Sequence, residues 1–311
     1  MTDRPFRFGV QLRGASSGQE WREKCRRAEA LGYGTLAVAD HFPRGLGPFT
    51  ALATAAAVTD HIRIGAFVFA NDFRHPAVLA KEAATLDLLS GGRLELGIGA
   101  GWLRSEYEAT GIPFDRAGVR IDRLAEAIPL IKRLWTEDSV TFEGRFYRVT
   151  DLSLLPRPVQ APHPPVLVGG GGQRILSVAA QHADIVALNP RATPEGTPDL
   201  RDITAEATAQ KLAWIREAAG ERFPDLELNT VVLRVIPTDD REAAAHAMAT
   251  EWGLTAAEVL ESPHVLLGSE AEMAETLRQR RSRYGISNIT VTEDGLEPFA
   301  PVIAQLEATG A

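Results

Sequence analysis

The chain of 311 residues contains a single cysteine, Cys25, and therefore cannot form an internal disulfide. Its apolar stretches are shorter than the roughly 20 residues that a membrane-spanning helix needs. Residues 1–5 show neither the apolar segment nor the cleavage pattern of a secretory leader. Because a chain without disulfides suits a reducing compartment, we expect a cytoplasmic protein with no membrane partner.

Strongly basic segments are also missing. The net charge is −8, and the densest basic stretch, residues 278–283, is typical of a solvated helix face. We therefore expect no nucleic-acid partner. The seven histidines show no metal-ligand spacing, and there is no Gly-x-Ser-x-Gly sequence. These absences predict a protein without a bound metal and without acyl-transfer chemistry.

What the sequence does contain is a regular alternation of strand-like and helix-like segments. Apolar runs, some with a period of two, predict eight strands, at residues 6–12, 35–39, 62–69, 94–98, 166–168, 184–188, 226–236 and 288–291. A Gly-x-Gly-x-x-Gly turn does not follow the first strand, which argues against a dinucleotide-binding doubly wound sheet. The sequence therefore predicts an α/β fold, a (β/α)8 TIM barrel.

We expect one barrel domain over residues 1–311, with insertions after strands four and six. The first insertion begins with a loop at residues 99–118 and continues through a helix at 119–135 and a small hairpin at 140–148. The second insertion, residues 189–202, is polar and contains prolines, which favours a mobile segment or lid.

In a TIM barrel the residues that follow the strands meet at one mouth, which carries the chemistry. Asp40 and His41 follow strand two, and a carboxylate beside an imidazole can transfer protons near neutral pH. A purely structural, hydrogen-bonded role for His41 remains open. After strand three, His75 precedes Pro76, and we expect its side chain to cap the next helix.

Two glycine-rich segments also follow strands. Residues 169–172 are four glycines directly before a helix, where free backbone N–H groups and the helix dipole can hold a phosphate. Arg174 adds a cation, although a flexible connection without a ligand is the alternative. In the Gly97-x-Gly99-x-Gly101 segment, missing side chains can make room either for a flat cofactor ring or for close packing of strand and helix.

These segments resemble the luciferase-like monooxygenase superfamily, and most of all its branch that uses the deazaflavin coenzyme F420. The matching motifs are VADHF (residues 38–42), DFRHPA (72–77), TLDLLSGGR (85–93), GIGAGW (97–102) and PVLVGG (165–170), with a late LGS (267–269) before a helix. The resemblance covers nearly the whole chain. The resemblance implies a flavin-type cofactor at the mouth of the barrel and, as a family trait, a homodimer.

The resemblance also implies where the cofactor lies. It places a non-proline cis peptide near Phe67 and Val68, behind the ring, and the cofactor phosphate at residues 169–172. The family's Asp–His pair matches Asp40 and His41. The expected cofactor-binding residues are Phe67, Val68, Ala70, Asn71, Gly99, Gly101, Trp102, Gly169, Gly170, Gly171, Gly172 and Arg174.

The sequence departs from the family pattern at Trp102. In the family's F420-dependent sugar-phosphate dehydrogenases, a glutamate thought to act as an acid occupies this place. An indole would instead line an apolar pocket, which argues against the sugar-phosphate reaction. Glu106, one helical turn later, is a candidate substitute acid.

Three functions follow from the resemblance. The first is an F420-dependent oxidoreductase that moves a hydride between the deazaflavin C5 and a small organic substrate, with proton transfer by His41. The second is an FMN-dependent monooxygenase that uses reduced flavin from a separate reductase and oxygen. The third is a catalytically silent barrel that only binds a flavin.

Overall fold

A computed structural model describes residues 4–193 and 197–309 of the chain. The strands of these residues are β1 (Arg7–Leu12), β2 (Thr35–Val38), β3 (Arg63–Ala66), β4 (Phe69–Ala70), β5 (Leu94–Gly99), β6 (Val140–Glu143), β7 (Arg148–Leu152), β8 (Val166–Gly170), β9 (Ile185–Leu188), β10 (Glu227–Val232), β11 (Arg234–Pro237), β12 (Val265–Gly268) and β13 (Ile286–Thr292). The helices are α1 (Gly18–Ala30), α2 (Pro48–Val58), α3 (Pro76–Leu89), α4 (Arg104–Thr110), α5 (Ala117–Thr136), α6 (Gln173–His182), α7 (Ala205–Ala219), α8 (Arg241–Trp252), α9 (Ala256–Glu261), α10 (Glu270–Tyr284) and α11 (Leu296–Ala308). None of the described helices is both long and apolar enough to cross a membrane.

The main sheet is a closed parallel barrel. Its strands run in the order β3, β2, β1, β13, β10, β9, β8 and β5, and β3 also pairs with β5 and so closes the ring. The short strand β4 continues β3 along the other end of β5, so the two count as one barrel strand. Strands β5 and β9 are buried along their whole length, as strands covered on both faces require. The predicted eight-stranded barrel is confirmed.

The third barrel strand is interrupted where it passes β5. The peptide bond between Phe67 and Val68 is cis, at the position that the family resemblance implies. A side chain at Gly97 would put its Cβ 1.9 Å from the Ala66 carbonyl oxygen, and one at Gly99 would put its Cβ 2.7 Å from Val68 Cγ2. The absence of side chains at these two glycines therefore leaves room for the interrupted strand. This is the second of the two roles considered for the Gly97-x-Gly99-x-Gly101 segment, close packing.

The seventh predicted strand, residues 226–236, is wrong as a single strand. The barrel strand β10 ends at Val232, and the Leu233 N–H donates to the His264 carbonyl oxygen at 2.8 Å. The chain then continues as β11, which pairs with β12 in a separate two-stranded sheet. This small sheet, with α8 and α9, surrounds its own apolar cluster, centred on Val259, Val265 and Met248.

The first insertion is more ordered than the sequence indicated. Residues 99–118 were expected as a loop, yet they contain α4, which ends at Gly111 in the left-handed conformation (φ 74°). Glu106 and Tyr107 are buried on this helix. The helix is therefore stabilised by contacts with the barrel mouth, which a reading of local sequence cannot detect.

The motif at residues 85–93 has a structural role. The Asp87 carboxylate accepts hydrogen bonds from the Val159, Gln160 and Leu94 backbone N–H groups. The Arg93 guanidinium donates to the Ala56 and Ile62 carbonyl oxygens at 2.7 and 3.0 Å. The two side chains thus tie the connection between α3 and β5 to the neighbouring elements.

A polar layer closes the N-terminal end of the barrel. The buried Glu95 carboxylate accepts from Arg7 and, at 2.5 Å, from Arg63 Nε. Arg7 also donates to Glu227 at 2.7 Å. These charged groups are partly or fully buried, so removing one of them leaves an opposite charge without its counter-ion.

We predict that Glu95→Gln lowers the free energy of unfolding, because Arg63 would lose its carboxylate partner and Arg7 would keep only Glu227. Both guanidinium groups are partly exposed, so we expect a loss on the order of 2 kcal/mol rather than that of a fully buried pair. Urea denaturation of this variant and of the exposed control Glu217→Gln measures the difference. An equal effect of the two substitutions would contradict the prediction.

Candidate active site

His41 and Glu106 form the central pair at the barrel mouth. His41 follows β2 and Glu106 lies in the first turn of α4, and His41 Nδ1 is 2.7 Å from Glu106 Oε1. The Glu106 side chain is only 3% exposed. The residue that was predicted as a substitute acid is thus the partner of the predicted proton-transfer histidine.

The contacts of the His41 ring indicate its tautomer. Arg44 Nη2 lies 3.4 Å from Nε2, and a guanidinium can only donate. Nε2 therefore accepts, and Nδ1 carries the proton that is donated to Glu106. A histidine held in this way has a basic nitrogen on the side away from its carboxylate, as general-base catalysis requires.

The predicted pairing of Asp40 with His41 is wrong. The Asp40 carboxylate accepts two hydrogen bonds from Arg74, at 2.6 and 3.0 Å, and a third from the Ala70 backbone N–H at 3.0 Å. Asp40 thus contacts strand three and Arg74, whereas His41 contacts Glu106 of α4. The hydrogen bonds of the Asp40 carboxylate hold β4 in place and do not go to the imidazole.

A second polar cluster lies between α4 and the start of α5. Asp72 accepts from Arg123 at 2.7 Å and from the Tyr107 hydroxyl at 3.3 Å. Burial, and then the Asp72 charge, raise the pKa of Tyr107. A Cβ at Gly101 would lie 1.7 Å from the Tyr107 hydroxyl oxygen. Gly101, expected beside the cofactor ring, therefore gives space to this tyrosine.

Two buried side-chain oxygens at the mouth have no hydrogen-bond partner among the described residues: Oδ1 of Asn71 and Oδ1 of Asn189. The Asn71 amide donates to the Tyr147 hydroxyl at 2.9 Å, and burial raises the pKa of Tyr147 to about 12. Buried polar atoms normally have partners, so these oxygens suit a bound group that offers N–H or O–H donors. Asn189 was not among the predicted cofactor residues.

The glycines at 169–172 form the expected connection to α6, but not through positive φ angles. A Cβ at Gly170 would be 2.3 Å from Ile175 Cγ2, and one at Gly171 would be 2.5 Å from the Arg191 backbone nitrogen. Gly172 differs, because nothing lies within 4 Å of its Cβ position. It is the N-cap of α6, and no side chain caps this helix. Open N–H groups at an uncapped helix start are suited to an anion.

The other predicted cofactor residues surround this mouth. The Phe67 carbonyl oxygen accepts from Gln11 across the barrel at 2.7 Å. Trp102 is 39% exposed, and its ring lies edge-on to His41 with centroids 5.8 Å apart. Arg174, in the first turn of α6, pairs with Asp122 of α5.

The second insertion is tied down at its base, contrary to the expectation of a mobile segment. Lys211 of α7 is fully buried, and its Nζ donates to the carbonyl oxygens of Asn189 and Asp202 at 3.0 and 2.9 Å. Asp202 also accepts from the Arg191 N–H at 2.7 Å. These contacts fix the backbone that packs against Gly171. Residues 194–196, at the tip of the insertion, lie outside the described residues.

The model of the luciferase-like monooxygenase family matches residues 4–297. The chain belongs to this family. The F420-dependent glucose-6-phosphate dehydrogenase of Intrasporangium calvum is 39% identical over 168 residues, 51% of this chain and 50% of that protein. The FMNH(2)-dependent dimethylsulfone monooxygenase of Pseudomonas putida is 30% identical over 190 residues, 60% of this chain and 52% of that protein. The chain thus spans about half the length of these relatives.

Solved structures agree in fold. The coenzyme F420-dependent tetrahydromethanopterin reductase of Methanopyrus kandleri superposes with a TM-score of 0.77 at 18% identity, covering 97% of this chain and 100% of that one. The monooxygenase RslO1 of Streptomyces bottropensis superposes with a TM-score of 0.74 at 27% identity, covering 97% of this chain and 98% of that one. A coenzyme F420-dependent reductase and a monooxygenase thus share this barrel fold.

We predict that the neutral His41 ring carries its proton on Nδ1. Nitrogen-15 NMR near pH 8, with the signal assigned through His41→Gln, reports the tautomer directly. Glu106→Met removes the acceptor and should abolish the preference for Nδ1–H, whereas Glu108→Met, on the exposed side of the same helix, should leave it unchanged. A proton found on Nε2 in the unaltered chain would contradict the assignment.

Proposed function

We propose that the protein is a coenzyme F420-dependent oxidoreductase that transfers a hydride between the deazaflavin C5 and a small organic substrate. The observation that carries the proposal is the open, uncapped start of α6 at Gly172, beside a mouth that contains a paired histidine and glutamate. The similarity to F420-dependent glucose-6-phosphate dehydrogenases, at 38–39% identity, supports this cofactor.

Residues of this chain suit both ends of such a cofactor. The N–H groups at Gly172 and in the first turn of α6 would hold its phosphate, with Arg174 nearby. The two unpartnered oxygens of Asn71 and Asn189 would accept hydrogen bonds from the ring system or the polyol chain. When bound, the deazaflavin supplies or accepts the hydride.

His41 would move the accompanying proton. Its Nε2 accepts a proton when the substrate is oxidised, and the imidazolium returns it in the reverse direction. The Glu106 carboxylate stabilises the charged ring at 2.7 Å from Nδ1. The partly exposed Trp102 and the buried groups at the mouth would limit the access of water.

An FMN-dependent monooxygenase is the second candidate, favoured by the similarity to two flavin-dependent oxygenases. One is the dimethylsulfone enzyme above; the other is the oxygenase component of a trigonelline monooxygenase of Acinetobacter baylyi, 32% identical over 240 residues, 76% of this chain and 63% of that protein. A separate reductase would then be a partner. A catalytically silent flavin carrier is less favoured, because it has no use for the His41–Glu106 pair.

We also propose that the protein is cytoplasmic and forms a homodimer through α3. Five of the seven exposed large apolar side chains among the described residues lie on this helix or on the adjoining segment, namely Val78, Leu88, Leu89, Leu155 and Val159. The three on α3 fall within about 100° of the helix circumference. Exposed apolar side chains gathered on one side of a protein in this way, here called the apolar strip, are typical of an interface between proteins.

Titration of the chain with F420 and with FMN tests the cofactor. We expect tight binding of F420 and weak binding of FMN, and Gly172→Asp should weaken F420 binding at least tenfold, because a carboxylate then occupies the phosphate position. The matched variant Gly172→Asn caps α6 equally well without the charge and should bind more tightly than Gly172→Asp. Neither variant should lower the melting temperature.

Three outcomes would contradict this proposal. Preference for FMN would favour the monooxygenase, and binding without turnover across many substrates would favour the silent carrier. Equal F420 affinity of the Asp and Asn variants would place the phosphate elsewhere. Gly170 and Gly171 are unsuitable for this test, because side chains there collide with Ile175 and the Arg191 backbone.

The dimer is tested by Leu89→Glu, which places a charge at the most exposed apolar side chain of the strip. We expect light scattering to report a particle of twice the chain mass for the unaltered protein and of the single mass for this variant. Ala213→Glu, on the exposed side of α7, adds the same charge elsewhere and should remain dimeric. A monomeric unaltered chain would refute the proposed interface.

A further inference from the structure

Arg44 presents a cation with unused hydrogen-bond donors beside His41. It lies in the exposed connection between β2 and α2, and its one hydrogen-bond partner among the described residues is His41, with Nη2 3.4 Å from Nε2. A guanidinium carries five N–H donors. Within residues 4–193 and 197–309, Arg44 has no carboxylate partner, so most of its donors remain free for a ligand.

The neighbouring charges are already paired. Both terminal nitrogens of Arg74 donate hydrogen bonds to Asp40, and Arg123 bridges Asp72 and Asp115. Glu106 contacts Nδ1 of His41, so its carboxylate lies on the other side of the imidazole from Nε2. An anion that approaches Nε2 therefore meets the guanidinium of Arg44. The carboxylates of Asp40, Asp72 and Asp115 are already bound to other arginines.

Two exposed aromatic side chains belong to the surroundings of His41, one on the next residue of the chain and one against the imidazole ring. Phe42 is 56% exposed and rests on Phe73 with ring centroids 4.8 Å apart, and Trp102 is 39% exposed and lies against His41. Apart from the strip on α3 and the adjoining segment, these are the exposed large apolar side chains among the described residues. Aromatic surfaces of this kind bind flat apolar groups by stacking or edge contacts.

We propose that the substrate is a planar molecule with a carboxylate, which Arg44 binds while Phe42 and Trp102 contact the flat body. This rests on the proposed function, in which His41 moves the proton. Arg44 can bind a carboxylate through two parallel hydrogen bonds. Turning the guanidinium towards the carboxylate releases His41 Nε2, so that binding of the anion frees the nitrogen that accepts the proton.

The test uses three small probes on the full chain: benzoate, neutral benzamide and phenyl phosphate, each titrated by ligand-observed NMR. We expect benzoate to bind at least tenfold more tightly than benzamide. Arg44→Gln should remove this difference, since hydrogen bonds to charged groups are the strong ones. Arg44→Lys should keep part of it, and Arg26→Gln, an equal change of net charge on the exposed side of α1, should keep all of it.

Equal binding of benzoate and benzamide, or an unchanged preference in Arg44→Gln, would overturn the proposal. Tighter binding of phenyl phosphate than of benzoate would overturn it in favour of a phosphate monoester. The cofactor titration is a separate measurement, so the two proposals can fail separately. Normal F420 binding without a preference for benzoate rejects only the carboxylate substrate, whereas an Arg44-dependent preference without F420 binding rejects only the cofactor.

Discussion

The close approach of the third barrel strand to β5 is the constraint on which the mouth depends. The Ala66 carbonyl and the Val68 side chain occupy the space above Gly97 and Gly99, where any side chain would collide. The interrupted strand is then held from two further sides, by Gln11 on the Phe67 carbonyl and by Asp40 on the Ala70 N–H. Three strands and one ion pair thus determine where Asn71 presents its unpartnered oxygen.

This arrangement changes the roles of the polar residues. The buried Asp40 carboxylate accepts hydrogen bonds from a backbone N–H and from a guanidinium. It is therefore a scaffold for strand three, although it precedes His41 directly. Glu106 has His41 as its side-chain partner, which leaves it suited to support proton transfer. Asp40 and His41 are adjacent in sequence but have different partners, whereas His41 and Glu106, 65 positions apart, are in contact.

The barrel could be predicted from sequence because each strand is a buried apolar run followed by a helix, and both signals are local. The break at Val232 could not be predicted, since β11 remains apolar and differs only in the strand that it pairs with. Similarly, α4 lies where a loop was expected, and its Glu106 and Tyr107 are buried at the barrel mouth by contacts with distant parts of the chain. The sequence singled out the glycine run at 169–172, but it could not predict how each glycine is used. Gly169, Gly170 and Gly171 pack closely against Asn189, Ile175 and the second insertion, and of the four only Gly172 has open space at its Cβ position.

The departure at Trp102 and the presence of Glu106 have one explanation. Gly101 adopts a positive φ of 73° and packs under Tyr107, so the chain turns sharply between the end of β5 and α4. That turn carries residue 102 outwards, where an indole covers the mouth, and brings the first turn of α4 back over His41. The Glu106 carboxylate, in this first turn, consequently lies 2.7 Å from His41 Nδ1. The mouth thus has an acid–imidazole contact although residue 102 is not acidic, and Trp102 adds an exposed aromatic surface beside His41.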